Sequence, residues 1–213
     1  MPQQLILVPT HLERQQLPLD GDRFSQSRVE VCGVGAVVAG VRTARLLSQH
    51  NPDSVLLLGI AGAIDPALAI GSAYEFHSVA CYGMGVGSGA DYSTLAELGW
   101  QDWLNPAVGP EGPLDEVLEL TGAHWDQSTA PARQLLTVMA ASAGPREVAY
   151  CREKFPAAVA EDMEGYAVAA ACHLARVTLR IIRGISNLAG DRQHERWRVA
   201  QALRAAAELA AQV

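Results

Sequence analysis

The sequence is short of charge, of aromatic rings and above all of lysine. Charged residues make up 18% of its 213 positions, below the usual quarter, and Lys154 is the single lysine. The formal net charge is −7, and the arginines gather into no stripe or cluster. A basic face that could track a phosphate backbone is therefore missing, which sets nucleic acid aside as a partner and favours a small diffusible ligand. Cysteine is scarce as well. Cys32, Cys81, Cys151 and Cys172 stand apart with no CxxC pair and no metal-ligand spacing, so they read as reduced, buried thiols. No His/Cys cluster offers a metal, and neither a metal nor an organic cofactor is expected. No stretch of about 18 apolar residues runs free of breakers, so no membrane partner is expected. Met1 to Val8 has neither the basic region nor the long apolar run of a signal peptide, and the expected location is the cytoplasm.

What is present is apolar. Residues of the hydrophobic classes reach 49%, enough for one good core, and a single domain over 1–213 is expected. Leu5-Ile6-Leu7-Val8 reads as a buried strand ended by Pro9. Thr10 to Leu17 reads as a helix start, with Thr10 as cap and Glu13 at capping-box spacing. Val29 to Cys32 is a second strand, Ala36 to Leu47 a helix, and Val55 to Leu58 a third strand running into Gly59-Ile60-Ala61-Gly62. Strands are expected within Gly71 to Tyr82 and at Gln134 to Ala141, and a flexible loop at Gly83 to Gly89. Asp91 to Gln127 carries only weak helix patterns. Arg146 to Phe155 is amphipathic, Asp162 to Ala175 reads as an Ala-rich helix, Val177 to Ile185 as a strand, and Glu195 to Val213 as a terminal helix. Strands alternating with helices, several of them apolar throughout, predict an α/β fold with a mixed, mostly parallel central sheet flanked by helices on both faces.

Four segments carry candidate chemistry. Gly33-Val34-Gly35 lacks dinucleotide spacing and a Walker lysine, so it reads as a tight turn or a site of close packing. Gly59 to Gly62 stands at a strand's carboxyl end, where a ligand can touch backbone; a simple tight turn explains it equally well. Glu161-Asp162-Met163-Glu164-Gly165 brings carboxylates beside an apolar platform. Helix amino termini attract carboxylates without any function, yet Glu164 there can also accept two neighbouring hydroxyls of a ribose. Arg183 to Asn187, followed by Gly190-Asp191-Arg192, turns abruptly polar at a strand end, as a site does or as an Asn-containing turn does.

Together these segments resemble the purine nucleoside phosphorylase and methylthioadenosine/S-adenosylhomocysteine nucleosidase superfamily. The resemblance is carried by Phe155-Pro156-x-Ala158-x-Ala160-x-x-Met163-Glu164 followed by Arg183-x-Ile185-Ser186, with the Gly59–Gly62 segment and the first strand-loop. Gly83 to Pro131 hardly matches. The resemblance implies a nucleoside phosphorylase-like fold, a purine nucleoside as substrate, and a homo-oligomer. It places Ala61, Gly62, Ser142, Met163, Glu164 and Ser186 against that substrate. Near Ala141-Ser142, where relatives carry a base-stacking ring, this chain has none; Tyr82 or plain apolar packing would take its place.

Three positions separate the branches. Phosphorylases hold phosphate with an Arg and a Ser/Thr at positions resembling Leu57 and Ile60, whose side chains offer neither donor nor charge, so water is the expected nucleophile. Glu13 matches the nucleosidase glutamate that deprotonates the water, although a helix-start carboxylate is also explained locally. Asn187 stands where adenine-specific nucleosidases carry an acid; an amide serves N7 and O6 of a 6-oxopurine. Futalosine hydrolases resemble the chain in Ser186-Asn187-x-x-Gly190-Asp191-Arg192 with Trp197 shortly after. The implied reaction is release of hypoxanthine from futalosine. Asp191 and Arg192 either close over the distal carboxylate-bearing arm or form a loop salt bridge.

Overall fold

The computed structural model describes residues 3–20, 22–100, 114–123 and 132–212. Part of the weakly patterned stretch, 101–113 and 124–127, lies outside them. Strand β1 (Gln4–Val8) leads through Pro9 to helix α1 (His11–Gln16), whose cap Thr10 accepts the Glu13 N–H at 3.0 Å. Then come β2 (Arg28–Val31), helix α2 (Ala36–His50) and β3 (Ser54–Ala63). They are followed by β4 (Ala73–Phe76), β5 (Ser78–Tyr82), a small hairpin of β6 (Gly85–Val86) and β7 (Ser93–Thr94), and α3 (Leu95–Leu98). The rest is β8 (Val117–Glu119), β9 (Gln134–Val138), α4 (Pro145–Lys154), β10 (Ala158–Asp162), α5 (Gly165–Ala175), β11 (Thr178–Leu188) and α6 (Val199–Gln212).

Five expectations change. Gly59 to Gly62 is no turn, since β3 continues through it to Ala63. Glu161 and Asp162 end a strand rather than open a helix, and α5 starts only at Gly165, where Glu164 takes the cap position. Strand β11 runs on through Ser186 and Asn187 to Leu188, because its backbone pairs with β3 that far. Gly83 to Gly89 includes β6 of the hairpin, and the terminal helix begins at Val199 after a short 3-10 turn.

Among the described residues nine strands form one sheet ordered β2-β1-β3-β10-β9-β5-β8, with β11 on the second edge of β3 and β4 beyond it, and β6 and β7 pair separately. Pairs β1–β2, β1–β3, β3–β11, β9–β10 and β5–β9 are parallel, while β3–β10, β4–β11 and β5–β8 are antiparallel, so the expected mixed and mostly parallel sheet is present. The geometry of β3 creates the site. Strand β11 follows one edge from Ser54 to Ala63; on the other edge β1 pairs only with Ser54–Leu57 and β10 only with Gly62 and Ala63. Between them this edge of β3 has no strand partner, and side chains reach its backbone there.

Helices cover both faces. Leu5, Leu7, Val55, Leu57 and Ile181 pack beneath α2 and α5, while Ile6, Val8, Leu56, Leu58 and Ile182 pack against α6. Strands buried on both faces explain the continuous apolar runs in the sequence. The contact with α6 is backbone-close: a Cβ on Gly184 of β11 would lie 2.1 Å from the Ala202 carbonyl oxygen, and α6 answers with a buried stripe of Ala202, Ala206, Ala207 and Ala210. All four cysteines are free and buried, as their spacing predicts.

Candidate active site

A cavity of about 410 Å³ opens where the carboxyl ends of β1, β9, β10 and β11 surround the partnerless edge of β3. Strand ends are where open α/β sheets place ligands. Its walls are Pro9, Thr10, Leu12, Glu13, Val34, Ile60, Ala61, Gly62, Val138, Ala141, Glu161, Asp162, Met163, Glu164, Ser186, Asn187, Arg192, His194, Trp197 and Val199. Eight of the ten sequence-predicted site residues are among them: Glu13, Asn187, Ala61, Gly62, Met163, Glu164, Ser186 and Arg192. Ser142 and Asp191 are not in the lining.

Glu13 is buried and held from two sides. Its Oε2 accepts the Thr10 hydroxyl at 2.6 Å and its Oε1 accepts the Ile60 N–H at 3.1 Å. The capping-box spacing therefore delivers the Thr10 cap, while the carboxylate turns away to the open edge of β3. Glu164 stands across the cavity, where its Oε1 accepts the Gly35 N–H at 3.0 Å. Gly33 and Gly35 both have positive φ, so the turn is tight as expected; its second role, presenting the amino end of α2 to Glu164, was not foreseen. Burial drives the Glu164 pKa up to about 7; Arg183 and the Gly35 N–H oppose the shift, while Asp162 and Glu13 add to it.

Beneath these groups lies Arg183, fully buried. Its Nη2 pairs with Asp162 Oδ2 and, at 3.3 Å, with Glu164 Oε2. Burial disfavours its charge, but Asp162, Glu164 and Glu13 more than offset this and hold its pKa above the ordinary value. Asp162 is fixed further by the Thr137 hydroxyl at 2.7 Å and the Gly165 N–H at 2.9 Å. Arg183 and Glu13 both converge on Gly59, where a Cβ would lie 2.3 Å from Arg183 Nη1 and 3.0 Å from Glu13 Oε1. Gly59 is thus needed for close approach by side chains, not for a turn. Gly62 serves packing too, because a Cβ there would meet the Ala189 backbone at 3.2 Å.

Ser142 is buried with both its N–H and its hydroxyl donating to Glu161, at 3.1 and 2.6 Å. The residue that faces the cavity is Glu161 itself, whose pKa is raised by burial against the opposing Ser142 bonds and the Arg192 charge. Asn187 lies on the opposite side of β3. Its Oδ1 accepts the Ser186 hydroxyl at 2.6 Å and its Nδ2 donates to the Leu188 carbonyl at 2.7 Å, leaving one N–H with only a 3.5 Å contact to the Asp191 carbonyl. The Asp191 carboxylate instead accepts the Gln193 N–H, and its carbonyl takes the Trp197 indole N–H. Arg192 makes no ion pair with Asp191; its guanidinium lies 5.2 Å over the Trp197 ring, which His194 stacks upon at 4.4 Å. Tyr82 packs on Tyr92 with ring centroids 4.4 Å apart and is absent from the cavity lining, where Val138 and Ala141 supply apolar walls instead.

Phosphate would find little here. Leu57 is sealed in the core and Ile60 shows the cavity an aliphatic side chain, while the Ile60 and Gly35 N–H groups already serve carboxylates. The residues missed by sequence reasoning are Glu161, Asp162 and Arg183. All three belong to segments singled out as motifs, but their partners are distant in sequence or hidden by the misread strand.

A cavity at strand ends, walled by aliphatic groups and floored by oriented carboxylates, is the site of an enzyme that acts on a small polar molecule. The chain belongs to the phosphorylase superfamily, whose family model matches residues 26–74 and 119–213. It is 30% identical to the 5′-methylthioadenosine/S-adenosylhomocysteine nucleosidase of Aeromonas salmonicida, over 92% of this chain and 86% of that one. It is 35% identical to the futalosine hydrolase of Acidothermus cellulolyticus, over 82% of this chain and 69% of that one. The fold matches the crystal structure of the Neisseria meningitidis methylthioadenosine/S-adenosylhomocysteine nucleosidase in complex with methylthio-immucillin-A, with a TM-score of 0.72 at 19% identity, covering 100% of this chain and 98% of that one. Within the superfamily the chain is a nucleosidase, an N-glycosyl hydrolase of purine nucleosides.

Proposed function

We propose that the chain, acting as one catalytic unit over 1–213, hydrolyses futalosine to hypoxanthine and dehypoxanthine futalosine, a step of menaquinone biosynthesis in the cytoplasm. The observation that carries this reading is Asn187, an amide anchored by Ser186 at the end of β11 and facing the same cavity as Glu13 and Glu164. An amide hydrogen-bonds N7 or O6 of a 6-oxopurine but has no proton to give to an adenine leaving group. The identity with the Acidothermus futalosine hydrolase supports the same substrate.

In this mechanism the C1′–N9 bond breaks with its electron pair going to the base. The hypoxanthine anion is met by the Asn187 N–H that makes only the 3.5 Å contact to the Asp191 carbonyl, and takes its proton from solvent. Glu164, in its ionised form, accepts the 2′- and 3′-hydroxyls, and Met163 lies against the sugar. Water attacks C1′ of the oxocarbenium-like ribosyl group and gives a proton to Glu13. Arg183 Nη1 has no protein partner and converges with Glu13 on Gly59, so the two groups together orient that water. Ala61, Gly62 and Ser186 complete the floor beneath the nucleoside. Arg192 beside Trp197 takes the distal carboxylate of the substrate, and Asp191 shapes that loop through its backbone. Leu12 and Val34 are exposed at the cavity wall and Val37 and Val41 are exposed on α2, apolar surface that favours a homo-oligomer.

The test is hypoxanthine release from futalosine in phosphate-free buffer. Turnover that is unchanged by added phosphate supports hydrolysis by water; turnover that requires phosphate would replace this reading with a phosphorylase. A second reading, cleavage of methylthioadenosine or S-adenosylhomocysteine, is favoured by the Aeromonas relative and by the aliphatic mouth of the cavity. Activity on aminodeoxyfutalosine would be a variant of it. A non-catalytic nucleoside-binding role would show binding without product.

A further inference from the structure

The loop between β11 and α6 brings Arg192 and Trp197 to the cavity wall. Its start is pinned to β3: Leu188 pairs with Ala63, and the Ala189 N–H donates to the Ala63 carbonyl at 2.8 Å. Its end is pinned where the Arg198 N–H donates to the Ser186 carbonyl at 2.8 Å. Between these pins Asp191 ties the loop to itself, its carboxylate accepting the Gln193 N–H and its carbonyl the Trp197 indole N–H. Gly190 is where the loop rests on another part of the fold. A Cβ there would lie 2.8 Å from the Gly144 carbonyl carbon, 2.9 Å from its oxygen and 3.1 Å from its Cα. These are backbone atoms, so nothing can swing aside, and Gly190 also has a φ of +80°. Gly144 closes the turn 139–144 that joins β9 to α4. Ser142 of the same turn donates both its N–H and its hydroxyl to buried Glu161.

Contacts therefore run in one line from Glu161 of β10 through Ser142 and Gly144 to Gly190, and end at Arg192 and Trp197. Glu161 takes no part in the hydrolytic steps, and this line gives it a task. Two donors from one residue on one carboxylate fix the height of the turn, and the turn fixes the loop. We propose that Gly190, seated on Gly144, is a positioning residue for recognition of the substrate's distal carboxylate. The contact sets where Arg192 and Trp197 stand, and the Ser142–Glu161 clamp sets the seat. The inference rests on the nucleosidase reading, with Arg192 as partner of the distal anion, and adds the residues that hold Arg192 in reach. A guanidinium meets a carboxylate through a rigid planar fork, so a small displacement of the loop breaks the pairing. Glu13 on α1, Glu164 at the cap of α5 and Asn187 within β11 all lie outside the loop. A displaced loop thus loses the arm and keeps the chemistry.

The experiment measures kcat and KM for futalosine and for its methyl ester, whose arm carries no charge, in phosphate-free buffer. Wild type is compared with Gly190→Ala, Gly190→Asn, Gly144→Ala and Ser142→Ala, with thermal melts alongside. A charge-assisted hydrogen bond is worth roughly 10- to 150-fold, and the ester should show a KM higher by about that range in wild type, at similar kcat. Gly190→Ala should raise the KM for futalosine by about 10-fold or more, keep kcat within about 3-fold, and bring the ester-to-acid ratio of KM near unity. Asparagine enters positive φ more readily than alanine but carries the same Cβ, so Gly190→Asn should match Gly190→Ala. A Cβ on Gly144 would meet Glu147 Oε2 at 3.4 Å and not Gly190, so Gly144→Ala should keep the wild-type ratio. Ser142→Ala loosens the seat from its other side and should lower the ratio; it carries the test if the Gly190 variants do not fold. A wild-type ratio in folded Gly190→Ala and Gly190→Asn, or in Ser142→Ala, overturns the positioning role and leaves the hydrolase reading standing. A wild type that handles acid and ester alike overturns the role of Arg192 and this inference together. Release of hypoxanthine from neither compound overturns the nucleosidase reading itself.

Discussion

Replacing Gly59 by alanine tests how the floor of the site is built. Gly59 lies inside β3 and has no positive φ, so its backbone accepts alanine and the effect comes from contacts. The new Cβ would stand 2.3 Å from Arg183 Nη1, 3.0 Å from Glu13 Oε1 and 3.0 Å from Pro9 Cδ. A guanidinium at the protein surface would swing aside. Arg183 is 0% exposed and tied to Asp162 and Glu164, and has nowhere to go. Separating a buried ion pair leaves uncompensated charge and costs about 3–5 kcal/mol. For a chain of this length each kcal/mol lowers Tm by about 2–4 °C, so a loss at the lower bound of about 3 kcal/mol corresponds to roughly 6–12 °C. Turnover should fall too, because the same Cβ pushes Glu13 from the Ile60 N–H. Gly62→Ala is the comparison: its Cβ meets the Ala189 backbone at 3.2 Å, a tight but relievable contact, and a loss of about 1 kcal/mol is expected. Thermal melts with urea titrations and a product assay read both effects. A Gly59→Ala protein melting within about 2 °C of wild type with full turnover would refute the reasoning.

Three further outcomes are expected. Glu13→Gln should keep futalosine binding, measured by calorimetry, while kcat falls about 10²- to 10⁴-fold, the usual contribution of a general base; unchanged kcat removes Glu13 from that role. Glu164 must be ionised to accept two ribose hydroxyls, and burial lifts its pKa to about 7, so kcat/KM should rise as pH increases through 7. Glu164→Gln should abolish that rise, and a profile still rising through 7 in the variant would point to another group. Asn187→Asp restores an acid beside N7 and should raise activity on methylthioadenosine relative to futalosine; a ratio that does not move would show that position 187 does not select the base.

Much of the scaffold is legible because it is local. Leu5 to Val8 and Val55 to Leu58 are apolar on both faces, which announces buried strands, Val177 to Ile185 is rich in β-branched residues, and Thr10 with Glu13 announces the start of α1. Strand β10 is hidden because Ala158-Val159-Ala160 shows no alternation and the carboxylates after it imitate a helix start. The extension of β3 is hidden because Gly59 and Gly62 look like a turn, although the glycines are there to let Arg183, Glu13 and Ala189 come close. Site contacts are harder still. Gly35 reaches Glu164 across 129 positions, and Ser142 reaches Glu161 across 19 with α4 between them. No spacing rule reports such pairs; only the order of the strands brings them together. Arg183 looks like an ordinary polar residue ending a β-branched strand, and its burial becomes visible only once Asp162 of β10, Glu164 and Gly59 of β3 are assembled around it.

The central claim is that this cavity hydrolyses a 6-oxopurine nucleoside, and a substrate panel tests it most directly. Futalosine, inosine, methylthioadenosine and S-adenosylhomocysteine would each be incubated with the purified protein, with and without phosphate, and the released bases separated by chromatography. The account predicts phosphate-independent release of hypoxanthine from futalosine, with the sulfur nucleosides left intact. Release of adenine from methylthioadenosine or S-adenosylhomocysteine, with futalosine untouched, would contradict it.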